Sequence, residues 1–248
     1  MTRIARVVVP GAPHHVTQRG NRGERIFAGA DDYALYRDWL AEACRRFEVA
    51  VWAYCQMPNH VHLILTPSDA QGLALALSRA HRLYSGFVNA RARRTGHVFQ
   101  GRYGSVAMDE AHLIAAARYV ALNPVRARLV ADARDWPHSS VAAHLAARDD
   151  GLAVVRPILD RVANFAELLA TSADDAAFAL LRRAELIGRP LGSLAFVAAA
   201  EARLGRRLAP GKRGRKARGG AEAADNGNWR ACHRKKFSRV GAFWRLTA

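Results

Sequence analysis

The stretch Val49-Ala50-Val51-Trp52-Ala53-Tyr54-Cys55-Gln56-Met57-Pro58-Asn59-His60-Val61-His62-Leu63-Ile64-Leu65-Thr66 decides the fold. Val49 to Met57 is rich in strand formers, Pro58-Asn59 is turn chemistry, and His60 to Thr66 is a second strand, so the pair reads as a β-hairpin. Side chains two apart on a strand share a face. Val61, Leu63 and Leu65 therefore point one way, toward helices, and His60 and His62 the other. Upstream, His15-Val16-Thr17-Gln18-Arg19 reads as a short strand ended by Gly20-Asn21-Arg22-Gly23. Asp31-Asp32 then opens a helix that carries Leu35, Trp39, Leu40, Ala43 and Phe47 at helical spacing. Downstream, the spacing predicts a helix over 70–94, with Leu73, Leu77, Leu83, Tyr84, Phe87 and Val88 near one face. Arg79, Arg82, Arg91, Arg93 and Arg94 lie mostly on its other face, and Gly96 stops it. Val98 to Met108 contains a further strand. Asp109-Glu110 opens another helix, which Pro124 ends by biasing Asn123 away from helical geometry. The order β-α-β-β-α-β followed by a helix predicts an α+β, ferredoxin-like antiparallel sheet with helices on one face. Its third strand is internal, so His60 and His62 stand on a rigid platform.

The formal charge of +17 is extreme for 248 residues. Coding bias explains Arg over Lys but not 38 basic against 21 acidic side chains. Such a surplus points to a polyanion, above all nucleic acid. The charge is uneven: 18 basic and 11 acidic residues over 1–140, 6 and 8 over 141–202, and 14 and 2 over 203–248. A basic body is thus followed by a near-neutral segment and a very basic end. Three regions follow: a catalytic domain over 1–145, a helical C-terminal extension over 146–208, and a basic tail over 209–248 whose composition predicts disorder. Only Cys44, Cys55 and Cys232 occur, without a C-x-x-C pair. With no apolar run of signal or membrane-span length, a cytoplasmic protein without membrane contact is expected.

His60-Val61-His62 can aim two imidazoles at one divalent ion. Taken alone, the pattern is weak and fits two unrelated polar residues on a half-exposed strand better. By residue type His14, His15, His81, His97, His112, His138 and His144 could all supply a third ligand, and spacing favours none. In Arg118-Tyr119-Val120-Ala121-Leu122-Asn123-Pro124-Val125-Arg126, Tyr119 and Asn123 are four apart and share a helix face. A phenol beside a metal is a plausible nucleophile for phosphoryl transfer, provided a base, a water or the metal removes its proton.

Four ordered blocks carry a resemblance: His15-Val16-Thr17-Gln18-Arg19-Gly20-Asn21-Arg22, Met57-Pro58-Asn59-His60-Val61-His62-Leu63-Ile64, Gly96-His97-Val98-Phe99-Gln100-Gly101-Arg102-Tyr103 and Tyr119-Val120-Ala121-Leu122-Asn123-Pro124-Val125-Arg126-Ala127. Over residues 3–145 the chain resembles the single-tyrosine HUH transposases, in the branch associated with repetitive extragenic palindromes. The resemblance implies that His60 and His62 are the metal histidines, that Asn123 supplies the third ligand through its amide oxygen, and that Tyr119 is the nucleophile. It implies Mg2+ or Mn2+, cleavage of single-stranded DNA beside REP-like hairpins, a 5′-phosphotyrosine intermediate, and a monomer working at the nucleoid, with no small-molecule substrate.

For DNA contact, Arg19 and Arg22 near the first strand, Arg79 and Arg82 on the long helix, and His97, Phe99 and Arg102 in the following loop combine positive charge with stacking surfaces. Arg213, Arg215 and Lys216 belong to a run from Arg203 to Arg218 with eight basic and no acidic residues, which adds salt-sensitive affinity. The competing reading is a catalytically silent DNA-binding regulator of palindromic repeats, and a third is a hydrolase of small phosphoesters.

Overall fold

The computed structural model describes residues 6–170 and 175–209. The hairpin forms where it was read. Strand β2 (Val49–Met57) pairs antiparallel with β3 (His60–Pro67), and Met57 opposite His60 closes the ladder around Pro58-Asn59. The turn is tied down from outside, since the Pro58 and Asn59 carbonyls accept from the Ile26 and Gly20 amides at 2.9 and 2.8 Å. A Cβ on Gly20 would lie 2.2 Å from the Glu24 carbonyl oxygen, so only glycine fits this crossing. Strand β1 (His14–Arg19) adds to the far side of β3 and β4 (Gly104–Ala107) to β1, in the order β2-β3-β1-β4. This is the ferredoxin-like order for a β-α-β-β-α-β chain, and it makes both β1 and β3 central.

Helices α1 (Ala30–Arg46) and α2 (Gly72–Arg91) cover one face of the sheet, where Tyr36, Leu40, Leu77 and Tyr84 pack on Val16, Val61, Leu63 and Leu65. Arg91 near the end of α2 clasps Asp32 at the start of α1 through two contacts of 2.5 and 2.8 Å. The two helices of the ferredoxin-like unit thus lie on one face, as expected. The second face is covered by α3 (Glu110–Ala121) and by helices further along the chain. The reason is visible in the strands: Ala53, Cys55, Met57, Ile64 and Val106 put apolar side chains on the second face as well. A sheet apolar on both sides needs a cover on both sides.

The fourth strand is shorter than the run from Val98 to Met108. Gly96 and Gly101, at φ of +111° and +56°, turn the chain in a loop, and only Gly104 to Ala107 join the ladder. Helix α3 ends at Ala121 with Leu122 as its cap, before Pro124 as expected, but the helical path resumes. A further turn, α4 (Asn123–Arg126), begins with Pro124 in its first turn, where a missing N–H leaves no bond unmade.

After α5 (Val141–Leu145) and α6 (Arg156–Leu159), helices α7 (Phe165–Ala170) and α8 (Asp175–Ile187) pack on the second face. Phe165, Phe178 and Leu181 are buried there beside Leu113, Ala117 and Val120 of α3. The connector to α9 (Leu194–Leu204) closes the open edge of β4: Leu191 donates to the Ala107 carbonyl and accepts from the Asp109 amide. Among the described residues, no helix is long and apolar enough to cross a membrane. The tail from residue 210 onward, with Arg213, Arg215 and Lys216, lies outside the described residues.

Candidate active site

The two central strands project their polar side chains toward α3. Arg19 stands opposite His60 and Thr17 opposite His62, and His15 follows two residues along on the same face. The His60 and His62 rings lie 4.8 Å apart, centre to centre. His15 Nε2 is 3.0 Å from His62 Nδ1, with the two rings parallel to within 4°. His60 Nδ1 is 2.6 Å from the amide oxygen of Asn59, whose amide nitrogen donates to the Gly23 carbonyl. That second bond fixes the amide orientation, so His60 Nδ1 carries the proton and Nε2 keeps its lone pair. Burial, helped by the Arg19 charge, lowers the His60 pKa to about 4. Burial lowers His62 further still, with the neighbouring His15, His60 and Arg19 adding to it. Both imidazoles are therefore neutral at pH 7, the form that ligates a cation.

Helix α3 delivers the phenol. Its start is capped by Asp109, which accepts from the His112 amide at 3.1 Å. Ten residues after that cap, the Tyr119 ring meets His62 edge-on at 5.4 Å and His15 at 5.9 Å. Asn123 follows one turn on and is buried, 8 % exposed. Tyr119 is only 7 % exposed, because Phe178 of α8 packs across its ring at 5.2 Å. Burial first, and then the Glu185 carboxylate, raise its pKa above the usual tyrosine value against the pull of Arg182, Asn123 and Arg126. The phenol is thus protonated at neutral pH.

Two residues complete the cluster that spacing did not single out. His15 was one histidine among seven candidates, and only the strand register sets it beside His62. Glu185, on α8, is far from every motif, and nothing local in the sequence marks it. Its Oε1 lies 2.9 Å from His15 Nδ1, yet neither atom has an aligned hydrogen bond, and both are buried. One ligand atom each from His15, His62 and Glu185 lie within 4.8 Å of one another. Neutral imidazoles, a carboxylate and the Asn123 amide form a donor set that suits a divalent ion, and the orphaned buried atoms sit where one could be accommodated.

The expected DNA contacts fall into groups. Arg19 is exposed opposite His60, and Arg22 is exposed in the short 3-10 turn that follows β1. Arg82, His97 and Arg102 are exposed around a cleft of about 330 Å³ that Gln18, Phe99 and Tyr103 also line. Phe99 itself is buried and packs on His81 at 4.4 Å. Arg79 is engaged elsewhere, in a two-pronged pair with Glu42 of α1 at 2.8 and 3.2 Å.

Residues 10–123 match the family model described as transposase IS200 like. This stretch is similar to the IS200-like transposases. The match runs from just before β1 to Asn123, so His15, His60, His62 and Tyr119 all fall within the matched stretch and Glu185 beyond it. The fold is similar to that of a REP-associated tyrosine transposase solved bound to a REP hairpin. The TM-score is 0.52 at 19% identity, covering 62% of this chain and 89% of that one. A second solved structure, of a putative transposase from Deinococcus radiodurans, is 19% identical over 52% of this chain and 92% of its own, at a TM-score of 0.34. None of the curated proteins matches the chain.

Proposed function

We propose that the chain cuts single-stranded DNA at REP-like hairpins and passes the cut strand on through a 5′-phosphotyrosine. The observation that carries this reading is the placement of Tyr119 from α3 against His62 of β3, with the rings 5.4 Å apart. His60 and His62 hold Mg2+ or Mn2+ through neutral imidazoles, with Asn123 as the third donor. Such an ion, when bound, polarises a phosphate oxygen and stabilises the charge that develops in the transition state. Tyr119 Oη gives up its proton to solvent and bonds to phosphorus. The bond from phosphorus to the 3′-oxygen breaks, and that oxygen takes a proton to become a free 3′-hydroxyl. The phosphotyrosine conserves the bond for a later attack by another 3′-hydroxyl. Arg19 at the end of β1, Arg22 just after it, and Arg82, His97 and Arg102 around the cleft, receive the phosphates of the single strand and of the hairpin foot. The same family resemblance supports a monomer acting in the cytoplasm at the nucleoid.

The test is a labelled single-stranded hairpin incubated with the full chain and Mn2+ or Mg2+, separated under denaturing conditions. A covalent protein–DNA band in wild type that disappears in Tyr119→Phe is the expected result. A band that survives in Tyr119→Phe refutes the assignment of the nucleophile. One observation favours the second reading, a DNA-binding regulator without cleavage: the Tyr119 ring is enclosed by Phe178. Hairpin binding with no covalent band under either metal would select it.

A further inference from the structure

Glu185 and His15 lie next to the proposed metal histidines without belonging to the expected ligand set, and their geometry specifies protons. Glu185 Oε1 is 2.9 Å from His15 Nδ1. A ring nitrogen that turned its lone pair to a carboxylate at this distance would face like charge, so the proton sits on Nδ1. With that proton on Nδ1, Nε2 is the nitrogen that carries the lone pair. That atom is 3.0 Å from His62 Nδ1, in a ring parallel to within 4°, and a contact of this kind needs one proton between the two nitrogens. His62 Nδ1 must supply it. The lone pair of His62 is thereby left on Nε2, the same nitrogen that the Asn59 amide leaves free on His60.

We infer that Glu185 is a positioning residue that acts through His15 to hold His62 in the tautomer with its Nε2 lone pair available to a cation. The inference rests on the proposal that His60 and His62 are metal ligands. It gives α8, which lies outside the matched domain, a part in the site's chemistry: a carboxylate–histidine–histidine chain does for His62 what Asn59 does for His60. Outer partners of metal histidines fix ring orientation and tautomer in this way, and their loss typically weakens metal affinity about 10–100-fold. The chain also gives a part to a fully buried histidine on β1.

The experiment uses the full chain, 15N-labelled and stripped of metal, and reads the His62 tautomer from long-range proton–nitrogen correlations of its ring. Mn2+ affinity is measured alongside, by the loss of the free-ion electron paramagnetic resonance signal. In wild type, His62 is protonated at Nδ1. Glu185→Ala is expected to move His62 toward the Nε2-protonated form and to weaken Mn2+ binding at least tenfold. Glu185→Gln keeps an acceptor oxygen for His15 and is expected to restore both readouts to within threefold of wild type. If Glu185→Ala leaves tautomer and affinity unchanged, the inference is overturned. If Glu185→Gln weakens Mn2+ as much as Glu185→Ala while the tautomer stays put, Glu185 is a direct ligand and the inference is again overturned. His62→Ala separates this from the reading beneath it. Undiminished Mn2+ binding in His62→Ala refutes the metal site itself, while the metal-free tautomer measurement still decides the chain.

Discussion

Replacing Phe178 by alanine tests whether α8 must leave the site before a DNA phosphate can reach Tyr119. Phe178 is 1 % exposed, and its ring covers the Tyr119 ring at 5.2 Å. Truncating a buried phenylalanine costs about 3–5 kcal/mol in transfer and cavity terms. If that loss falls on the docking of α8 rather than on the whole fold, the opening equilibrium of α8 shifts by the same amount. Taking the lower figure, and a factor of ten per 1.4 kcal/mol, opening becomes about a hundredfold more favourable. Where opening precedes chemistry, the covalent complex forms faster by up to that factor. Hydrogen exchange should show α8 losing protection while β1 and β3 keep theirs, and the adduct assay on a labelled hairpin gives the rate. A variant with deprotected α8 and an unchanged or slower adduct rate would refute the idea that α8 limits access. It would leave Phe178 as core packing that positions Tyr119.

Other expectations follow from the same contacts. Because burial holds the Tyr119 phenol protonated, adduct formation should rise about tenfold per pH unit between pH 6 and 8; a rate flat across that range would instead reveal an imidazole already neutral there, as His60 is, acting as base. Arg91→Ala leaves Asp32, 1 % exposed, without its partner and should cost about 1–3 kcal/mol in urea unfolding, a buried-pair loss discounted because Arg91 is half exposed. The Arg91 guanidinium holds Asp32 below the usual carboxylate pKa, so this contribution is present at neutral pH and is lost as pH falls through and below the ordinary carboxylate range. The difference in stability between wild type and Arg91→Ala should therefore shrink in acid. Arg82→Ala and Arg102→Ala should each lower the salt slope of hairpin binding by about one, whereas Arg79→Ala, committed to Glu42, should leave that slope unchanged.

Much of this architecture is legible along the chain because its signals are local. The hairpin at Pro58-Asn59 and the α3 boundary at Asp109 depend on turn and cap chemistry within a few residues, and both stand where they were read. Strand parity placed His60 and His62 on one face, and helical spacing placed Asn123 one turn on from Tyr119. Val61, Leu63 and Leu65 mark one apolar face of β3, while the second, with Ile64 beside the apolar β2 residues, shows only once β2 and β3 are paired. Helix α3 ends before Pro124, and a further turn follows because a proline in a first helical turn breaks no bond.

The sequence by itself determined the element order, the strand carrying His60 and His62, and the helix turn joining Tyr119 to Asn123, since each depends on spacings of two to four residues. Only the tertiary structure decided that β1 lies against β3 in the register that sets His15 beside His62. Only it decided that α8 returns across the sheet, with Phe178 on the phenol and Glu185 on His15. Those juxtapositions join residues 47, 59 and 170 positions apart. They are set by which apolar faces the sheet must bury, and no local pattern in the chain encodes that.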